Sequence, residues 1–592
     1  MKILFLTSAH NSLSQRLLIE LTERGHCVHV TIATSDDAML EAVKESEPEL
    51  IVAPMLKVAI PEAICSNYVC MIVHPGVIGD RGASALDWAI TNKETAWGAT
   101  VLQADAEWDA GPIWASRSFP MPTTPISKSA LYRAEVTEAA VEGVLEAVEK
   151  FQSRCFCPEA LDYSRLSVRG RLRPTMCQKD RAIDWARDDA DTIVRKINAG
   201  DSAPGVLDSL FGTPFFLYGA HNEDRLRGAP GQPLAQRYGA VCVGTVDGAI
   251  WISHLKAKAG GPLAGLKLPA ALALGQSARR IPSSLPELAS DYRTFQEIRY
   301  SEEGDVGRLY FNFYNGAMST AQCYRLRDAF LYARSRPTRV IELLGGRDFF
   351  SNGIHLNVIE AASDPALESW CNINAIDDLV LEILNTMSHL VVTGFRGNAG
   401  AGGAMMALAA DYVYAREGVV LNPHYKSMGG LYGSEYWTYT LPRRVGAAKA
   451  TELTDACRPV GAREAKAIGF VDECFGRDVA EFERLLKERT RQLTRPEDFW
   501  RLLREKHEKR LVEERVKPLA SYRAKELEYM WENFHGADDS YHVARQRFVF
   551  KGKTPPRMAS DTPEAETPRR LLAESVFAPT LLKKSVVGWD DI

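Results

Sequence analysis

MKILFLTSAHNSLSQRLLIELTERGHCVHVTI, residues 1–32, carries the reading of the N-terminal part. Lys2 to Thr7 is a short apolar run, Ser8 to Ser12 is polar, Leu13 to Arg24 has helical periodicity, and Val28 to Ile32 is again strand-like. Strand, loop, helix and strand in that order predict an α/β unit with a parallel sheet. Leu50–Pro54 and Cys70–His74 repeat the apolar run with helical segments between them, so roughly the first 110 residues are expected to form one such sheet. Reactive groups should then sit beyond the carboxyl ends of its strands. The first turn, TSAHNS at 7–12, has no glycine, so a pyrophosphate cannot approach its backbone as in a dinucleotide site.

Farther along, DWARDDADTIVRKINAG at 184–200 reads as helix, and Pro214–Tyr218 and Ala240–Thr245 read as short strands separated by Gly and Pro. A small β-rich domain at 171–285 is expected behind a first domain at 1–170. Breakers cluster at Ala259–Pro262 and Ile281–Pro286, and 286–300 is read as a linker. Val340–Leu344 and Leu390–Thr393 are buried-strand candidates alternating with helices, which predicts a second α/β unit at 301–490. Arg495 to Asn533 is charged with helical periodicity, giving a helical region at 491–550. The Pro-rich polar stretch 551–592 is expected to be mobile, with Val586–Trp589 able to dock.

A chain of 592 residues is too long for one core. With 71 basic against 76 acidic residues it has no positive excess to recommend nucleic acid as a partner. No uncharged apolar stretch approaches bilayer-spanning length and MKILFLT is too short for a secretory core, so no membrane role and a cytoplasmic location are expected. Eleven scattered cysteines fit reduced thiols, and Cys155, Cys157 and Cys177 lack the paired spacing of a metal site, so no metal is expected.

Val73-His74-Pro75-Gly76, Asp80-Arg81-Gly82-Ala83 and Trp108-Asp109-Ala110-Gly111-Pro112-Ile113 form an ordered constellation. Over about residues 1–280 it resembles the 10-formyltetrahydrofolate-dependent formyltransferases, which implies a Rossmann-like domain followed by a small OB-like β-barrel. Formyl transfer needs a shuttled proton at a tetrahedral centre, and imidazole titrates near neutrality. His74 fits that role, with Asp109 as the carboxylate that orients it, and the R-G-A match implies substrate contacts at Arg81 and Gly82. The family places Asn two residues before this His, whereas Ile72 stands here and cannot donate to an oxyanion. Asn67 or a backbone N–H could substitute.

From about residue 300 the chain resembles the crotonase (enoyl-CoA hydratase/isomerase) superfamily. Gly345 to Leu356 looks like its oxyanion loop, and Ala399-Gly400-Ala401-Gly402-Gly403-Ala404, followed by Asp411, looks like its glycine-rich helix start. The resemblance implies an oxyanion hole made by the N–H groups of Ile354 and Gly402, with Gly353 and Gly403 beside the ligand, and coenzyme A as the thiol carrier. The positions of the hydratase glutamates fall on Met405 and His424, so simple hydration is not expected. In YKSMGGLYGSEY, residues 425–436, a buried Glu435 could remove a proton with Tyr425 as donor or relay. His424 and His355 are weaker candidates.

One chain joining both halves resembles a family of hydrogenase maturation factors. That resemblance implies formyl transfer from 10-formyltetrahydrofolate to coenzyme A, then loss of CO from formyl-CoA to supply an iron ligand. The partners implied are those small molecules, along with hydrogenase maturation proteins, and an internal channel would join the sites. Two alternatives stand: a formyltetrahydrofolate hydrolase that releases formate, with the second half as a CoA-binding module, and a non-catalytic CoA-bound scaffold.

Overall fold

In the computed structural model, residues 1–258, 263–284, 288 and 290–552 are described, so Ala259–Pro262, part of Ile281–Pro286 and Val586–Trp589 lie outside the description. The first sheet has six strands. Lys2–Thr7 pairs in parallel with Cys27–Ile32 on one side and Leu50–Ala53 on the other, and Leu50–Ala53 pairs in parallel with Cys70–His74. Leu50–Ala53 is wholly buried, as a strand covered on both faces should be. Asn11 caps the helix Ser12–Glu23 reciprocally with Ser14, so TSAHNS is a capping turn.

The sheet is not parallel throughout, as the apolar runs predicted. Ala96–Gln103 pairs antiparallel with Cys70–His74, and Ile113–Pro120 pairs antiparallel with Ala96–Gln103. The loop 104–112 is too short for the crossover a parallel pair requires, so the chain turns straight back. That hairpin places Asp109 at the same end of the sheet as His74.

A second, antiparallel sheet follows, with Thr213–Glu223 and Ala249–Ala257 at its centre, and the helix Ala190–Ala199 packs on it, capped by Asp189. Before reaching it the chain passes back over the first site, where Gly170 N–H donates to Ile78 and Arg173 N–H to Arg81.

The third sheet begins with the hairpin Ile298–Glu303 and Val306–Phe311, the first strand starting inside the segment read as a linker. Val340–Leu344, Leu390–Phe395, Tyr412–Ala415 and Glu473–Cys474 continue it in parallel. Helices Val479–Leu493, Pro496–Val516, Leu519–His535 and Ser540–Val549 close the described chain. Leu519–His535 folds back on this half, packing against the helices Pro365–Leu384 and Trp437–Val445. Among the described residues no helix is long and apolar enough to cross a membrane, and all eleven cysteines are free.

Candidate functional site

His74 ends its strand, opposite Thr100, and carboxylates flank its ring. Nε2 lies 2.9 Å from Asp80 Oδ2, and Nδ1 lies 3.3 Å from Asp109 Oδ1. Asp109 holds a left-handed backbone, φ 56°, while its other oxygen accepts the Gly82 N–H at 3.1 Å. Asp80 faces Arg173, whose Nε is 3.2 Å from Oδ1. Burial opposes a charged imidazole, yet the Asp109 and Asp80 carboxylates outweigh it and hold the His74 pKa up at about 9. Burial likewise opposes the Asp109 charge, and His74 with the Gly82 N–H overcomes it, leaving that carboxyl below its ordinary range.

A cavity of about 1230 Å³ opens on this pair, lined by His74, Asp109 and Gly82 and extending past Asn11 and Met55 to Lys128, Ser129, Tyr132 and Arg133. Its size suits a ligand much larger than a formyl group. Ile72 lines it and offers no donor. Asn67 does not replace the missing amide: it is exposed and donates to the Ala63 carbonyl at 2.9 Å. Arg81 sits at the margin, bound to Glu107 at 2.6 Å and to the Trp108 carbonyl at 3.1 Å, both residues of the cavity wall.

In the second half, the two glycine-rich segments meet. An added Cβ at Gly353, whose φ is 75°, would lie 3.3 Å from Gly402 N, and one at Gly403 would strike the Ser351 carbonyl at 2.3 Å. Only glycine permits so close a backbone approach. Gly402 opens the helix Gly402–Met406, and among the described residues neither its N–H nor that of Ile354 donates to a protein acceptor. Glu435 is buried against Gly402, since a Cβ there would fall 2.1 Å from Glu435 Oε1. The Tyr425 ring packs under Gly433, and its buried hydroxyl has no partner among the described residues.

Among the described residues the Glu435 carboxylate accepts one hydrogen bond, from Ser434 N–H at 3.1 Å. Burial, reinforced by the like charge of Asp377, pushes its pKa up to about 8. Glu435 and Tyr436 both hold positive φ, at 61° and 56°. Two buried carboxylates secure this strained pair: Asp377 accepts Glu435 N–H at 2.9 Å and the Ser434 hydroxyl, and Glu526 accepts Tyr436 N–H at 2.9 Å and Thr438 N–H at 2.8 Å. Met405 is buried core, and His424 Nδ1 donates to the Asn422 carbonyl at 2.8 Å. His355 caps the helix Leu356–Ala361 by accepting Val358 N–H at 3.3 Å, and burial lowers its pKa to about 4.

The halves are joined beside the cavity. Arg133, on its wall, bonds Asp348 at 2.8 Å and Asn315 at 3.0 Å and lies 4.6 Å over the Phe349 ring, so it grips the loop that leads to Ile354. Arg416 pairs with Glu138 at 2.9 Å nearby. Sequence reasoning missed Asp80, Asp377, Glu526 and Arg133. Asp80 alone carried a signal, standing at the head of the quoted stretch Asp80-Arg81-Gly82-Ala83.

Comparison with known proteins matches the formyl transferase family over residues 31–148, the formyl transferase C-terminal domain over 176–268, and the enoyl-CoA hydratase/isomerase family over 314–555. The hydrogenase maturation factor HoxX of Bradyrhizobium diazoefficiens is 47% identical over 93% of this chain and 95% of its own. The crystal structure of HypX from Aquifex aeolicus in complex with tetrahydrofolic acid superposes with a TM-score of 0.89 at 47% identity, covering 93% of this chain and 96% of that one. Methionyl-tRNA formyltransferase of Trichlorobacter lovleyi is 26% identical over 39% of this chain and 72% of its own.

Proposed function

The chain belongs to the hydrogenase maturation factor family that includes HoxX and HypX, and from that premise we propose that it forms carbon monoxide in two steps. The formyl group of 10-formyltetrahydrofolate passes to the thiol of coenzyme A at His74 and Asp109. Formyl-CoA then breaks down to CO and CoA at Glu435, and the CO becomes a ligand of the active-site iron of a [NiFe] hydrogenase. The tetrahydrofolate bound to the Aquifex aeolicus protein supports the donor.

The observation that carries the second step is the Glu435 carboxyl group buried against Gly402, whose N–H, like that of Ile354, donates to no protein acceptor among the described residues. Those N–H groups would polarise the formyl oxygen. Glu435 takes the formyl proton as the carbon–sulfur bond breaks, CO leaves, and the proton returns to the thiolate with Tyr425 assisting. A base whose pKa lies near the working pH suits proton removal. Arg133, shared between the cavity wall and the crotonase loop, supports a path by which the thioester moves between sites.

Anaerobic incubation of the purified protein with 10-formyltetrahydrofolate and CoA, with reduced haemoglobin as the CO detector, tests the reading. The wild type should produce the CO spectrum, while Glu435→Gln should lower CO formation by about a thousandfold and accumulate formyl-CoA. Formate without CO from both proteins would instead favour a hydrolase whose second half only binds CoA.

A further inference from the structure

The two carboxylates at His74 are not equivalent. The Asp80 side chain is 0% exposed, sits 2.9 Å from Nε2, and does not line the cavity. Gly76 seals that edge: a Cβ there would lie 2.5 Å from His74 Nε2 and 2.7 Å from Asp80 Oδ2. Gly170 presses on the Asp80 backbone from the other side, and Arg173 holds its second oxygen. Asp109, by contrast, is 16% exposed, lines the cavity, and stands at the looser 3.3 Å from Nδ1. A ligand can therefore reach only the Nδ1 edge.

We propose that Asp80 is the positioning residue of this site, holding His74 through Nε2 so that the imidazole works as a cation through Nδ1, with Asp109 as the carboxylate that exchanges protons with substrate. The inference rests on the first site being a formyl-transfer site. It exchanges the part first assigned to Asp109: a fully buried carboxylate behind the ring orients the imidazole, and the cavity-facing one is free to act. It also answers the absence at Ile72, because an imidazolium N–H is a charge-assisted donor to the oxyanion that isoleucine cannot stabilise.

The charged groups facing the ring and its partners are Asp80, Asp109, Arg173 and Arg81, with Glu94 and Glu107 engaging the two arginines. With a carboxylate at both edges, the charged ring is the favoured form. In the transfer, the thiol proton passes to Asp109 as the carbon–sulfur bond forms. The Nδ1 proton passes to N10 of the folate as the carbon–nitrogen bond breaks, and Asp109 then returns its proton to Nδ1. The sum moves one proton from sulfur to nitrogen and consumes no further reagent.

Full-length protein labelled with heavy nitrogen in its 12 histidines reports the state of His74 directly, its signal assigned by its loss in His74→Gln. Titrated without substrates, wild-type His74 should keep both ring nitrogens protonated at neutral pH and lose a proton only toward pH 9. Asp80→Asn should lower that pKa by about one unit or more and slow formyl transfer to CoA about a thousandfold, with partial recovery in Asp80→Glu. A wild-type His74 that is neutral at pH 7, or an Asp80→Asn protein with unchanged titration and rate, would overturn the proposal. Should Asp80→Asn not fold, the wild-type titration alone decides. A cationic His74 in a protein that transfers no formyl group would overturn the function proposed for the site while leaving the role of Asp80 standing.

Discussion

Both candidate sites bury acids, and they treat them in opposite ways. Around His74, two carboxylates meet an imidazole, with Arg173 behind one of them, so opposite charges lie within contact and the ring holds its proton up to about pH 9. Around Glu435, three carboxylates crowd together: Glu435, Asp377 and Glu526 are all buried, and Arg523 approaches Asp377 only to 3.8 Å. Burial and the like charge of Asp377 push Glu435 and Glu526 up to about 8, and burial, with a smaller push from Asp378, raises Asp377 to about 6. Burial penalises charge in both places, and the neighbours decide whether it survives. The first site suits an imidazole that rests as a cation and the second a carboxyl group poised to gain or lose its proton near neutrality.

The contrast can be broken at one site without touching the other. Gly402→Ala would drive a methyl group into the Glu435 carboxylate and spoil the helix N-terminus beside it. CO formation should fall by about a hundredfold or more, while formyl transfer to CoA, followed by mass spectrometry of the thioester, stays at the wild-type rate. Equal loss of both activities would mean that the sites are not separable.

The pH dependence sharpens the comparison. With its pKa raised to about 8, Glu435 is mostly protonated at pH 7, so proton removal from formyl-CoA should accelerate as pH rises through about 8 and then level off. Asp377→Asn removes a like charge while keeping an oxygen for Glu435 N–H. The rise should move to lower pH by about one unit, read from CO release against pH, and an unmoved profile would exclude Asp377 as the cause. The smallest effect concerns stability. Glu526→Gln cannot offer two acceptor oxygens to Tyr436, Thr438 and its hydroxyl, and denaturant unfolding should show a loss of about 1–3 kcal/mol. An unchanged midpoint would show that the strained Glu435–Tyr436 turn holds without this clamp.

Much of each site was legible because it is local. His74 ends a short apolar run, Gly402 opens a glycine-rich helix, and the spacing around Ile354 belongs to one loop, so chain order brought these candidates into view. The antiparallel hairpin Ala96–Pro120 was not legible, since a buried run reads alike whichever way its strand points. The second carboxylate on His74 was missed although Asp80 stood at the head of the quoted stretch, because nothing in Asp80-Arg81-Gly82-Ala83 says which side chain turns inward under Gly170.

From sequence alone came the α/β architecture, set by the periodicity of its apolar runs, while His74, Asp109, Glu435 and the two glycine-rich segments came into view as candidates through motifs that resemble two known families. Tertiary structure decided everything that depends on distant segments meeting: Arg173 behind Asp80, Asp377 and Glu526 around the Glu435 turn, and Arg133 on the crotonase loop. A proton's affinity for a buried group is fixed by the charges and dipoles that surround it in space, and chain order does not specify those.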